Sequence, residues 1–206
     1  MKLSSFIAII ACNTVLAGAV HAEAPAAPAV VPPGAATAIF AGGCFWCSES
    51  DFEKLPGVIE VESGYTAGKT ANPSYEQVSS GGTGHTEGVR VIYDPKKISY
   101  PQLVEFFWRH MDPTVKDRQF CDIGTQYRSG IYWANDAERK IVEASRDALI
   151  KSGKFKTIHT ELAPASTFWM AETYHQDYYK KNPIRYSYYR KSCGRDARVE
   201  QVWSGK

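Results

Sequence analysis

Between Thr37 and Trp133 the spacing of the apolar residues changes in an order that few architectures satisfy. "TAIFA" (37–41) is a short buried strand, and Gly42-Gly43 then lets the backbone turn sharply. "CFWCSESDFEKL" (44–55) reads as a helix, with Glu49, Asp51 and Glu53 on its wet side and Pro56-Gly57 as its stop. "VIEVESGY" (58–65) and "EGVRVIYD" (87–94) alternate as half-buried strands. "SYPQLVEFFWRH" (99–110) opens with Ser99 and Gln102 at capping-box spacing and puts Leu103, Phe106 and Phe107 on one face. "RSGIYW" (128–133) adds a strand. The order β-α-β-β-α-β is that of the ferredoxin-like split βαβ arrangement. The expected class is α+β, a mixed sheet with helices packed on it.

Further along, "NDAERKIVEASRDALIKSG" is a helix capped by Asn135 and ended by Gly153. "TIHTELA" (157–163) reads as a strand and "AETYHQDYYKK" (171–181) as a polar-aromatic helix, followed by an irregular C-terminal tail. One catalytic domain over 37–206 is expected. The segments 66–84 and 110–127 exceed ordinary connection lengths, which marks them as candidate walls of a site. Net charge is only +2 and no dense basic run occurs, which argues against nucleic acid as the main partner.

Residues 1–22 carry Lys2, an apolar run from Phe6 to Val20, and the small-residue ending Val20-His21-Ala22. This is the pattern of a secretory signal cleaved after Ala22. Cys12, Asn13 and Thr14 interrupt the run, against a membrane anchor, and the apolar stretch before Cys12 is short for a lipid-modified cysteine. The expected location is therefore outside the cytoplasm, in a periplasm. The Ala/Pro-rich residues 23–36 read as a disordered or extended linker.

Beyond the signal four cysteines remain, Cys44, Cys47, Cys121 and Cys193. In an oxidising compartment they can pair. A zinc site is disfavoured, because Cys121 and Cys193 lack C-x-x-C partners. Cys44 falls where a strand ends and a helix begins. Free N–H groups and the helix dipole favour a thiolate there. Phe45 and Trp46 follow on the same turn, about 100° apart, so one of them lies near the sulfur. In "GHTEGVRVIYD", alternation puts Glu87 on one face with Val89, Val91 and Tyr93. A carboxyl at the start of an apolar row faces desolvation, which raises its pKa and suits it to proton donation, whereas strand-start residues are often wet; the residues alone leave both readings open.

"GGCFWCSE", "GYTAG…NPSYEQVSSGGTGHTEGVRVIYDP", "CDIGTQYRSGIYW" and "AETYHQDYYKKNP", in that order, resemble methionine sulfoxide reductase A over residues 37 to 185. The resemblance implies reduction of the S epimer of methionine sulfoxide, free or in peptides and proteins. It implies Cys44 as nucleophile, a pocket of Phe45 and Trp46 around the substrate methyl group, and Glu87 as proton donor. Tyr75, Tyr127 and Asp122 match the remaining polar positions. It implies no metal, flavin or nicotinamide, and a thioredoxin-like dithiol as reductant; a monomer is expected. Two departures bear on the second cysteine of the cycle. Many relatives have Gly or another small residue where this chain has Cys47, and many end in a Gly-rich tail where this chain has "YYRKSCGRDARVEQVWSGK". Cys193 ranks first as the resolving thiol, Cys47 second and Cys121 third. Two other readings are a thiol–disulfide oxidoreductase using Cys44 and Cys47, and a secreted binding module with structural disulfides.

Overall fold

The computed structural model describes residues 23–204; the expected leader, residues 1–22, lies outside them. Strands β1 (Ala36–Gly42), β2 (Val58–Thr66), β3 (Thr86–Tyr93) and β6 (Ser129–Trp133) form the split βαβ core. Helices α1 (Phe45–Phe52) and α3 (Tyr100–Arg109) are its two crossovers. Two-residue strands β4 (Arg118–Gln119) and β5 (Asp122–Ile123) pair as a separate hairpin. β7 (Glu161–Pro164) and β8 (Trp169–Met170) extend the main sheet to the order β7-β6-β1-β3-β2-β8. Only β6 and β7 run parallel, so the sheet is mixed.

The crossover helices lie on the sheet because their apolar residues share a face. Phe40 of β1 stacks on Phe52 of α1, with ring centroids 4.9 Å apart, and on Phe107 of α3, at 5.2 Å. Ser99 and Gln102 form the expected capping box at the start of α3. Asn135 caps α4 (Asp136–Lys151) by accepting from the Glu138 N–H at 3.0 Å.

Four expectations need correction. The strand expected at 157–163 forms only at Glu161–Pro164, where it can bond to β6. "AETYHQDYYKK" is mostly turn; its helix is the single turn α5 (Tyr178–Lys181), because Asp177 takes a left-handed conformation at φ 55°. The irregular tail is instead two helices, α6 (Pro183–Ser192), which begins on Pro183, and α7 (Arg195–Trp203). These C-terminal elements cover α1, so its expected wet side is not wet. Glu49 and Asp51 are buried and Glu53 nearly so. The Asp177 N–H donates to Glu49 at 2.9 Å, Arg190 bonds Asp51 at 2.7 Å, and Lys180 pairs with Glu53 at 2.7 Å.

Residues 23–35 form no helix or strand, turn at Pro32–Ala35, where the Ala35 N–H donates to Pro32 O at 3.0 Å, and are tied to the domain at points. The Ala26 N–H donates to Ala171 O at 3.0 Å and the Ala29 N–H to Glu62 at 2.6 Å.

Candidate active site

The turn before α1 sets the site. Gly43 has φ +84°, and a Cβ there would lie 2.5 Å from Cβ of Gln119. Only glycine fits such a turn. Gln119 is fully buried and its amide clamps the backbone of Asp112 in both directions, at 3.0 and 2.7 Å. The 110–127 segment is thereby fastened against the turn that presents Cys44.

Cys44 occupies the N-cap position of α1 and is buried. The Phe45 N–H donates to Oε2 of Glu87 at 3.0 Å. The Phe45 ring packs between Tyr65, at 5.9 Å, and His175, at 4.8 Å. Trp46 lies flat on Tyr178, centroids 3.6 Å apart, and its indole N–H donates to Nδ1 of His175 at 3.0 Å. That bond requires His175 to be neutral with Nδ1 unprotonated. Burial holds its pKa down at about 4, in agreement.

The two long segments supply the polar wall. Tyr75 opens α2 (Tyr75–Ser79) within 66–84, its N–H bonded to Glu172 at 2.8 Å and its ring 4.5 Å from that of His175. Asp122 sits on β5, and Tyr127 ends a short 3-10 turn (Thr125–Tyr127). Tyr75 and Tyr127 both feel the charges of Glu87, Asp122 and Cys44. Burial, with those charges, raises the Tyr75 pKa to about 12 and pushes Tyr127 up as well. The structure therefore gathers Cys44, Phe45, Trp46, Tyr75, Glu87, Asp122 and Tyr127 in one place.

Glu87 is buried, and desolvation raises its pKa to about 8 despite the hydrogen bond from Phe45. That shift favours its protonated form at neutral pH. The thiols depart from the expectation of a helix-stabilised Cys44 thiolate. Burial dominates at Cys44 and pushes it up. Cys47 is pulled down by hydrogen bonding with Cys44 and by the nearby Arg195 and Arg190. Cys193 is disulfide-bonded to Cys121, while Cys44 and Cys47 are free.

Sequence reasoning passed over His175, Tyr178 and Tyr189. The first two lie in the stretch read as a polar-aromatic helix, where the density of rings was the available signal. Tyr189 stands in the tail, where no spacing marked it. Its hydroxyl donates to Oδ2 of Asp122 at 2.6 Å.

A sequence profile described as "Peptide methionine sulfoxide reductase" matches residues 36–206. "Peptide methionine sulfoxide reductase MsrA 2" of Caulobacter vibrioides is 50% identical over 179 residues, spanning 87% of this chain and 91% of the relative. "Peptide methionine sulfoxide reductase MsrA" of Bacillus pumilus is 49% identical over 82% of this chain and 96% of its own length. Among solved structures, methionine sulfoxide reductase A of Corynebacterium diphtheriae superposes with a TM-score of 0.67 at 39% identity, over 74% of this chain and 77% of its own. Mxr1 from Saccharomyces cerevisiae in reduced form gives 0.68 at 34% identity, over 74% and 88%. With the split βαβ core and this cluster of residues, the matches establish that the chain belongs to the peptide methionine sulfoxide reductase family.

Proposed function

We propose that the protein reduces the S epimer of methionine sulfoxide, in peptides and proteins or free, to methionine. The observation that carries this reading is Glu87, buried and bonded to the N–H of the residue after Cys44, in surroundings whose desolvation favours its protonated form. The Cys44 thiolate attacks the sulfoxide sulfur while Glu87 protonates the departing oxygen. Oxygen passes to Cys44, which becomes a sulfenic acid, and methionine leaves. Phe45 and Trp46 hold the S-methyl group, and Tyr75 and Tyr127 hydrogen-bond the oxygen as its negative charge grows.

Cys47 is the resolving thiol. It is free beside Cys44 and electrostatically inclined to ionise, whereas Cys193 is held by Cys121. Its thiolate attacks the sulfenic sulfur, closes a Cys44–Cys47 disulfide and expels the oxygen as water. A thioredoxin-like dithiol then reduces that disulfide. A thiol–disulfide oxidoreductase working through the same cysteines has no use for a protonated Glu87. We further propose export to a periplasm with cleavage after Ala22, on the strength of the leader pattern; the intact mass of exported protein tests this.

The activity test is to mix reduced protein with racemic methionine sulfoxide without recycling reductant. One equivalent of methionine, from the S epimer alone, with loss of two free thiols is expected. No methionine, or equal consumption of both epimers, overturns the assignment.

A further inference from the structure

Glu87 and Tyr75 stand on different elements, and one buried carboxyl group links them. Tyr65 and Glu87 lie directly opposite each other on β2 and β3, with side chains on one face of the sheet. Phe45 meets both: its N–H donates to Glu87 at 3.0 Å, and its ring lies 5.9 Å from that of Tyr65. The Tyr65 hydroxyl donates to Oε2 of Glu172 at 2.8 Å. The other oxygen, Oε1, accepts the Tyr75 N–H at 2.8 Å. Nε2 of His175 lies 4.0 Å from Oε2, beyond hydrogen-bond reach, so each oxygen of Glu172 serves one tyrosine.

Glu172 has a firm base. The neighbouring Ala171 N–H donates to Ser63 O at 3.0 Å, and Ala171 O accepts from the Ala26 N–H and the Gln176 side chain, both at 3.0 Å. Pro25 forms a β-bridge with Glu172 itself. Tyr75, by contrast, opens a helix of five residues inside the long 66–84 connection, and a helix that short holds little by itself. We propose that Glu172 is a positioning residue of the site: by joining the Tyr65 hydroxyl to the Tyr75 main chain it fixes Tyr75 relative to Glu87, so that both side chains meet one substrate oxygen.

The rest of the connection is fastened elsewhere. Arg128 donates to the Ala67 and Gly84 carbonyls at 3.3 and 3.1 Å, and Gln126 to Ser79 O, at the end of α2, at 3.0 Å. Loss of Glu172 therefore frees the start of α2, where Tyr75 stands, and leaves both ends of the connection tied. Glu172 touches no reacting atom and acts through Tyr75. Its part in the chemistry rests on the reductase reading; its hold on Tyr75 does not.

The test sets reach against charge. Glu172→Asp keeps the carboxyl group but withdraws it by one carbon–carbon bond, about 1.5 Å. Its single-turnover rate of methionine formation should fall about tenfold or more, as misplacement by about 1 Å can cost 10²-fold. Glu172→Gln keeps the reach and an acceptor for Tyr75, but turns an amide toward the Tyr65 hydroxyl. It should unfold at lower urea yet retain the rate to within about threefold. Tyr75→Phe should cost less in the Glu172→Asp variant than in the wild type, because Tyr75 is already displaced there. A wild-type rate for Glu172→Asp, a Glu172→Gln variant as slow as Glu172→Asp, or losses that multiply in the double variant overturns the proposal. Hydrogen exchange of the Tyr75 amide, followed by NMR, needs no sulfoxide. It should quicken about tenfold in Glu172→Asp and hold in Glu172→Gln. Unchanged exchange in Glu172→Asp overturns the proposal whatever the methionine assay gives, whereas a wild type that forms no methionine overturns the reductase reading.

Discussion

Oε2 of Glu87 lies 3.0 Å from the backbone nitrogen of Phe45, so the carboxyl proposed as proton donor is fastened to the helix that begins at Cys44. That bond by itself favours the carboxylate, but desolvation outweighs it and raises the pKa to about 8. The acid form therefore persists up to about pH 8 and is lost above it. Because attack needs the Cys44 thiolate as well as protonated Glu87, and burial pushes the Cys44 pKa up, single-turnover reduction by the wild type should rise with pH, level off near pH 8 as Glu87 ionises and fall only once Cys44 is itself fully ionised. Glu87→Gln should lose on the order of 10²-fold in rate and go on rising through pH 8 with no levelling there. A variant as fast as wild type at pH 7 would make Glu87 a structural carboxyl only.

The cysteines divide by pairing. Cys44→Ser should form no methionine, since a serine hydroxyl cannot replace the attacking thiolate. Cys47→Ser should form one equivalent and then stop. Cys193→Ser should continue to cycle with a dithiol reductant, because Cys193 is bonded to Cys121 and not to the reacting pair. Quantifying methionine with and without reductant decides the matter. Cycling by Cys47→Ser together with stalling by Cys193→Ser would restore the tail cysteine as the resolving group.

Glu49 predicts a pH effect on stability without one on chemistry. Its carboxyl is buried, accepts from the Asp177 N–H, and is raised from 4.5 to about 8 by desolvation. Below 4.5 the folded and unfolded chains both hold the proton. Between 4.5 and about 8 only the folded chain holds it, so stability declines with rising pH, by at most about 1.4 kcal/mol per unit. Above that range the slope ends. Glu49→Gln retains an acceptor for Asp177 and has no proton to lose. Urea unfolding at pH 5 and pH 8.5 should show the variant gaining on the wild type at the higher pH; parallel behaviour of the two proteins would disprove it.

Gly43→Ala should damage both fold and activity. The φ of +84° is strained for alanine, at about 1–3 kcal/mol, and the methyl group would also drive into Gln119. Because Gln119 holds Asp112 and the turn presents Cys44, the loss should appear in the unfolding midpoint and in the methionine yield together. An alanine variant with wild-type values of both would show that the turn relaxes freely.

The parts of this site that rest on local periodicity were legible in the sequence. The strand–glycine–helix turn at Cys44 and the inward face of Glu87 follow from spacing that each segment carries by itself. The functional weight of the two long connections followed from their length, and they deliver Tyr75, Asp122 and Tyr127. What could not be read was the second layer. Glu49 and Asp51 stand at helix positions that face outward from the sheet, and their burial depends on Asp177 and Arg190, more than a hundred residues away. α6 and α7 lack a clean apolar stripe because they pack through Tyr and Arg side chains, as at Arg195, which donates to the Gly42 and His110 carbonyls at 3.0 and 2.9 Å. Tyr189 was hidden with them.

The Cys121–Cys193 bond has a topological consequence. It closes residues 121 to 193 into a covalent ring that contains β6, α4, β7, β8 and the turn bearing His175 and Tyr178. The exposed lysines Lys151, Lys154 and Lys156, around the end of α4, lie within that ring. A protease that cuts there yields two polypeptides on a reducing gel but a single particle in solution. Trp46 keeps its partners on the far side of the cut, and nicked protein retains an assembled pocket until a thiol opens the ring.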